Sequence, residues 1–362
     1  MMKLVTALFV FSGIISPLHG QNFQLNAEKL SSNITFYEAA RVKYLSEIGM
    51  LEYFPYYMEN QIFMVDLLSN TVRTLGRKGN NPEEFGVERS LFSDGAYVYL
   101  FDSTKKKLLK YRLDADQFKL DDIIQIRNPV GRKGKGLQSI EVLGKSGDDW
   151  IVQYLVFPDL ATISRSGRPA LSLSVGVSNS DFSQYTELYY KEGKGYPQMA
   201  MSADSYLCRA KGKYLVVILN AANFDPESGT MNVAVVDVQQ RSVRNIPVRI
   251  PEKFTEFQVL DHDVNMRERL KVSKFKFVPW GARFQGLDEN FYFCYNHYYP
   301  DETADILFTM LDLSTGKVKQ FEQKKSSMTP IMADSHQIAY VKCNEEKDTC
   351  NLVVVDKTAL MD

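Results

Sequence analysis

A Gly-Arg-Lys-Gly tetrapeptide occurs twice, at 76–79 and at 131–134, and both copies stand at one fixed distance from a downstream Asp. Arg77 lies 17 residues before Asp94, and Arg132 lies 17 residues before Asp149. Each of these Asp residues belongs to a polar turn that leads into an aromatic-rich run, Tyr97 onward and Trp150 onward. A looser third copy, Gly193-Lys194-Gly195-Tyr196-Pro197, precedes the turn Lys211-Gly212. A loop that returns at the same phase of successive units is what radial repetition of small sheets requires. Two separate sandwiches would not place it so regularly.

Strand signals fill the rest of the chain. The runs Ala96-Tyr97-Val98-Tyr99-Leu100-Phe101, Tyr214-Leu215-Val216-Val217-Ile218-Leu219 and Asn232-Val233-Ala234-Val235-Val236 are β-branched and aromatic, too short for helices and bounded by polar turns. A second mark is an apolar residue plus Asp that closes a strand and opens a turn: Val65-Asp66, Phe101-Asp102, Val236-Asp237, Leu311-Asp312 and Val355-Asp356. An Asp there bonds its own backbone and starts the turn. Polar turns ahead of strands recur at Glu59-Asn60, Asp94-Gly95, Asp148-Asp149, Lys211-Gly212, Asp288-Asn290 and Asp334-His336, six across the 342 residues from Gln21 onward, or one per 57. That spacing suits ~40–50-residue blades with loop insertions. The expected fold is all-β: one domain over 21–362, a six-bladed β-propeller of four-stranded antiparallel blades. The N-terminal segment Asn26–Leu51 is expected to supply strands to the last blade and so close the ring. Helical patterning is confined to a charged stretch at Thr255–Lys271.

Composition sets the class and the compartment. With 44% hydrophobic and 12% aromatic residues the chain is not disordered, and four Cys are too few for a disulfide scaffold. A formal net charge of −1 gives no global attraction to nucleic acid or to an anionic membrane surface. Residues 1–20 read as a signal peptide: Lys3 supplies the positive start, Leu4–Ile15 the apolar stretch, and Gly20 the small residue before a cut at Gln21. No later segment reaches the ~20 apolar residues of a membrane-spanning helix. The first Cys is Cys208, so no lipid-bearing Cys stands at the cut. An exported protein, periplasmic or extracellular and not a lipoprotein, is the expectation. Cys343 and Cys350 flank a polar turn between two apolar runs, a spacing that suits a disulfide across a hairpin. Cys208 and Cys294, in apolar runs, read as packed thiols.

The stretch Leu75-Gly76-Arg77-Lys78-Gly79-Asn80-Asn81-Pro82-Glu83-Glu84-Phe85 resembles the GRxGxGPxEF signature of exported six-bladed β-propellers of Bacteroidetes, relatives of the NHL-repeat and TolB-like propellers. The resemblance covers about 35 residues, Met64 to Phe101. Asn81 stands where the signature carries Gly, and the second copy lacks the Pro-x-Glu-Phe half. The resemblance implies the fold; it implies no particular activity.

The chemistry-bearing residues are few. The Gly-Arg-Lys-Gly loops have neither the P-loop spacing nor a GxGxxG opening a helix. They read first as connectors from the outer strand of one blade to the inner strand of the next, with Pro82 and Phe85 fixing and anchoring the chain. Should they reach a face of the disc, Arg77, Lys78, Arg132 and Lys133 form a basic patch suited to an acidic sugar or a partner's carboxylates. In the run at 291–299, alternation puts Phe291, Phe293 and Tyr295 on one face and Tyr292, Cys294 and Asn296 on the other. Tyr298 and Tyr299, past the strand beside Pro300, read as an exposed platform for glycan or peptide. Asp261-His262-Asp263 suits a metal or, equally, a solvated surface segment. Asn33-Ile34-Thr35 matches a eukaryotic glycosylation sequon, and Asp102-Ser103-Thr104 resembles the O-glycosylation pattern of exported Bacteroidetes proteins. No nucleophile elbow, HExxH helix or EF-hand loop is present.

The expected function is a non-catalytic recognition module at the cell envelope, a monomer that binds a protein or glycan on one face of the disc without a cofactor. The alternative is a calcium-dependent hydrolase of the lactonase or esterase type, with Ca²⁺ held in the central tunnel by side chains dispersed over several blades.

Overall fold

The computed structural model describes residues 40–45, 48–55, 60–66, 69, 71–86, 88–114, 116–127, 129, 131, 138–156, 172–193, 206–219, 223–225, 227–254, 285–286, 288–299, 303–333, 336–344 and 349–356. Residues 1–39, with the signal-like segment and the start of Asn26–Leu51, lie outside them, as does the charged stretch at 255–271.

The described residues form six sheets in chain order, with a 3-10 turn at Glu252–Phe254. The first joins β1 (Ala40–Leu45), β2 (Met50–Pro55), β3 (Ile62–Asp66) and β4 (Thr71–Leu75). The second joins β5 (Glu88–Asp94), β6 (Tyr97–Asp102), β7 (Lys107–Asp114) and β8 (Gln117–Gln125). The third holds β9 (Gln138–Ser146), β10 (Asp149–Val156), β11 (Ser172–Ser178) and β12 (Tyr185–Lys191). The fourth holds β13 (Tyr206–Lys211), β14 (Tyr214–Leu219), the two-residue β15 (Phe224–Asp225), β16 (Thr230–Asp237) and β17 (Ser242–Arg249). After β18 (Gln285–Gly286), the fifth comprises β19 (Phe291–Tyr298), β20 (Ala304–Leu311) and β21 (Val318–Ser326). The sixth joins β18 to β22 (Thr329–Ala333), β23 (Gln337–Asn344) and β24 (Thr349–Asp356). Sheets of three to five strands replace the uniform four expected from the repeats. A parallel strand pairing explains part of the difference: β18 bonds β22 of the following sheet, Gln285 opposite Met332, rather than β19.

Sequence dictates the inner hairpins directly. Gly95, Gly147 and Gly212 each open a two-residue loop between the first and second strands of a sheet, at φ of 57°, 63° and 54°. A Cβ there would meet nothing within 4 Å, so backbone conformation and not space selects glycine. The Asp mark has an equally local cause. In four turns the amide three residues on donates to the Asp carboxylate: Ser69 to Asp66, Lys105 to Asp102, Gln240 to Asp237 and Thr315 to Asp312, at 2.8–3.1 Å. The turn does not mark one phase of the repeat, however. Asp66 closes the third strand of its sheet and Asp237 the third along the ladder β13-β14-β16, whereas Asp102 closes the second and Asp312 directly follows the second.

Each sheet is apolar on both faces, which is why its strands read as nearly continuous hydrophobic runs. Val98, Leu100 and Leu109 pack toward Ile62, Met64 and Leu75 of the first sheet. Tyr99, Phe101 and Leu108, on the opposite face, meet Val142, Trp150 and Val152 of the third. Similar seams join the third sheet to the fourth, the fourth to the fifth and the fifth to the sixth. The alternation read in 291–296 holds: Phe291, Phe293 and Tyr295 face the fourth sheet, Tyr292 and Cys294 the sixth. At ~25 cal/mol per Å², such two-sided aromatic burial supplies the main stabilisation. Two contacts link first strands of different sheets: Lys211 of β13 donates its ammonium to Gly286 O of β18 at 3.2 Å, and β1 lies beside β18.

Candidate ligand-binding face

The connection from β4 to β5 carries the first Gly-Arg-Lys-Gly. Lys78 N–H donates to Asn60 O (2.7 Å), Gly79 N–H to Phe85 O (2.9 Å) and Phe85 N–H to Arg77 O (3.0 Å), closing the loop on itself. Phe85 is fully buried in the seam between the first two sheets. Gly76, at φ 65°, has no room for a side chain, since a Cβ would stand 2.7 Å from the Tyr111 hydroxyl.

The second sheet grips this loop. Lys105 donates to the carbonyls of Gly79 (2.7 Å), Asn81 (3.1 Å) and Glu84 (2.9 Å), and the buried Lys107 donates to Pro82 O and to Glu84 O (2.9 Å). Gly86 N–H donates to the buried Asp102 at 2.8 Å. Burial pushes the Asp102 carboxyl up, but the Thr104 hydroxyl and the amides of Gly86, Lys105 and Thr104 outweigh it and hold it below the usual range. Burial pulls the Lys107 ammonium down, and neighbouring Lys105 adds to that.

On the other flank of the same β6–β7 turn lies a cavity of about 310 Å³. Ser103 and Lys106 reach it from the turn, Pro129 and Gly131 from the connection after β8, Gln138, Ser139 and Ile140 from β9, and Tyr154 from β10. The lining therefore combines hydroxyls, an amide, a phenol and a cation with two apolar patches, the usual make-up of a small-ligand pocket. Burial raises the Tyr154 phenol far above its ordinary value, so it stays protonated.

Sequence reasoning singled out residues that the fold treats differently. Arg77 and Lys78 are exposed on the clamped loop, with Arg77 3.7 Å from Glu84. Hydrogen bonding from the Asn81 amide, aided by Arg77 and Lys105, keeps the Glu84 carboxyl below its ordinary value. Of the second loop only Gly131 is described, and it lines the cavity; Arg132 and Lys133 lie outside the described residues, as does the Tyr298 side chain. Tyr299 is half-buried, donates to Asp305 at 2.8 Å and packs edge-on against His297. Lys253 completes that cluster, bonding Asp305 (3.0 Å) and Glu322, while His297 Nδ1–H donates to Lys253 O at 2.8 Å. Desolvation opposes the Lys253 charge, but its two carboxylate partners win and raise its pKa. The register sets Cys343 opposite Cys350. Asp261-His262-Asp263 falls outside the described residues, among which no group of three or more His, Cys, Asp or Glu is placed to hold a metal ion. Among them, too, no helix is long and apolar enough to cross a membrane. Sequence alone missed the cavity and the Lys105–Lys107 clamp.

No family model matches the chain, and no curated protein matches it. Among solved structures it is similar to a luciferin-regenerating enzyme, at 10% identity and a TM-score of 0.42 over 89% of this chain and 92% of that one. It is similar to a protein of Bacteroides fragilis described as exported, at 12% identity and a TM-score of 0.42 over 89% and 91%. A third similarity, to a nidogen/laminin complex, has 12% identity and a TM-score of 0.39 over 84% and 89%.

Proposed function

We propose that the chain is an exported, non-catalytic recognition module: a six-bladed β-propeller, related to the NHL-repeat and TolB-like propellers, that binds a protein or glycan at the cell envelope on one face of its disc. The ring reading is supported by the unbroken succession of sheet seams and by the meeting of β1, β18 and β22 at the inner edge. In this reading residues 21–362 are one monomeric domain, and the part of Asn26–Leu51 ahead of β1 completes the sixth sheet, whose outer described strand is β24; β1 itself and the start of β2 belong to the first sheet, not the last as expected. The observation that carries the function is the β6–β7 turn, which presents exposed Arg77 and Lys78 on the loop clamped to one flank and the polar cavity on the other. A rigid turn that displays cations and hydroxyls is suited to recognition.

Two measurements test this. Immobilised mature protein is expected to retain a specific partner or glycan from solubilised envelope, and a panel with no retained component would overturn the module. Its thermal midpoint after EDTA treatment is expected to be unchanged by millimolar Ca²⁺. A ligand confined to the folded state adds ~2.7 kcal/mol at 100 times its Kd, so a clear calcium-dependent rise would favour the lactonase-type hydrolase instead.

A further inference from the structure

We infer that the cavity between the second and third sheets is a subsite for a single acidic sugar ring, a hexuronate, whose carboxylate is read by Lys106. The inference rests on the recognition-module reading and names the ligand class of its site. The size is the first argument. At about 310 Å³ the cavity stands at the lower end of the ~300–1,000 Å³ that small-molecule sites span, enough for one ring and not for a folded peptide segment. The lining is the second. Ser103, Ser139 and Gln138 offer hydroxyl and amide groups that can both donate and accept, which suits a ring bearing several hydroxyls. Ile140 and Tyr154, packed in the seam behind it, form its rigid back wall.

Lys106 supplies the third argument. Among the described residues it is the one cation of the lining, it is exposed, and no ion pair engages it. Its backbone is fixed before any ligand arrives: Ile126 N–H donates to Lys106 O at 2.9 Å, and the Asp102 turn holds it at φ 47°. Gly316 occupies the corresponding place of the Asp312 turn at φ 76°, the conformation glycine takes without strain. Arg241 shares that place in the Asp237 turn, so a cation in this position is not itself a site. What distinguishes Lys106 is the cavity beside it. A cation on a fixed backbone beside a cavity lined by hydroxyls selects a carboxylate over a neutral ring by a charge-assisted bond.

The test is calorimetric titration of the mature protein with sodium D-glucuronate, D-glucose and sodium acetate. Lys106→Gly removes the cation at a position whose backbone favours glycine, Lys106→Asn is the second charge-removing variant, and Lys319→Ala, an exposed cation of β21, is the control outside the proposed face. Glucuronate is expected to bind with one-to-one stoichiometry and glucose about tenfold more weakly. Both Lys106 variants should erase that difference, and Lys319→Ala should preserve it. Equal binding of glucuronate and glucose, or unchanged preference in both Lys106 variants, would overturn the assignment of Lys106 while leaving a saccharide-binding module. Acetate binding as tightly as glucuronate would overturn the sugar assignment. Failure of all three probes overturns the inference alone, because the module reading is decided separately by capture from the envelope.

Discussion

Lys107 sends its ammonium under the preceding inter-sheet loop, donating to the carbonyls of Pro82 and Glu84 although it begins β7 of the second sheet. Its burial is tolerable because those carbonyls, with Asp102 nearby, compensate the charge. Lys107→Met keeps the stem and removes the donors, depriving Pro82 O of its bond while Glu84 O keeps the one from Lys105. The expected loss is about 2 kcal/mol, read as a lowered urea midpoint with an unchanged m-value. A variant as stable as the parent would show that the clamp contributes nothing.

Acid should loosen the Asp turns. Asp312 is held below the usual carboxylate range by the Ser314 and Thr315 hydroxyls and amides, and Asp102, Asp237 and Asp305 are likewise depressed by their donors against burial. A depressed folded pKa means the stabilisation is fully present above the unfolded value of ~3.9 and is lost as pH falls below it through the folded value. Urea midpoints should therefore hold between pH 7 and 5 and drop below about pH 4. Asp312→Asn, which still accepts from the turn amides, should show a shallower acid limb than the parent.

Turn strain gives a test with opposite signs. Arg241→Gly should stabilise by up to about 1 kcal/mol, because its φ of 51° is unfavourable for any side chain. Gly316→Ala, at φ 76° and with room for the methyl, should destabilise by a similar amount. Thermal midpoints that move in the same direction in both variants would contradict the turn assignment.

The two pairs of thiols should differ. Cys208 and Cys294 are fully buried and free, with burial raising both thiols far above their ordinary value. Cys343 and Cys350 face each other in the register of one hairpin. Alkylation of protein exported to an oxidising compartment, unfolded without reductant, should label only Cys208 and Cys294, and reduction should add the other two. Closing that short loop should contribute ~2–3 kcal/mol.

How far the sequence could be read depends on how far its determinants reach. The inner hairpins were legible because Gly95, Gly147 and Gly212 answer to their own φ, and the two-sided strands because Tyr97–Phe101 alternates between two apolar seams. The Asp turns were legible as turns but not as a phase. Asp102 bonds its own next residues whichever strand it closes, so local chemistry carries no record of strand rank. In Lys105-Lys106-Lys107 nothing local distinguishes the buried Lys107 from the exposed Lys106. Their fates are set by carbonyls more than 20 residues upstream and by a cavity assembled from β9, β10 and two connections. Arg77 and Lys78 stand out in the sequence because glycines flank them, whereas Lys106 stands between two other lysines.

The clamp on residues 79–84 also settles where one repeating unit ends and the next begins. Counted along the chain, the β4–β5 connection comes after the first sheet; counted by its bonds to Lys105, Lys107 and Asp102, it is part of the second. A fragment cut after Leu75 keeps every one of those bonds within one piece, whereas a cut after Phe85 separates the loop from the lysines that hold it. Breakpoints for circular permutation, split-protein reassembly or blade transplantation therefore belong at Leu75–Gly76, ahead of the connection.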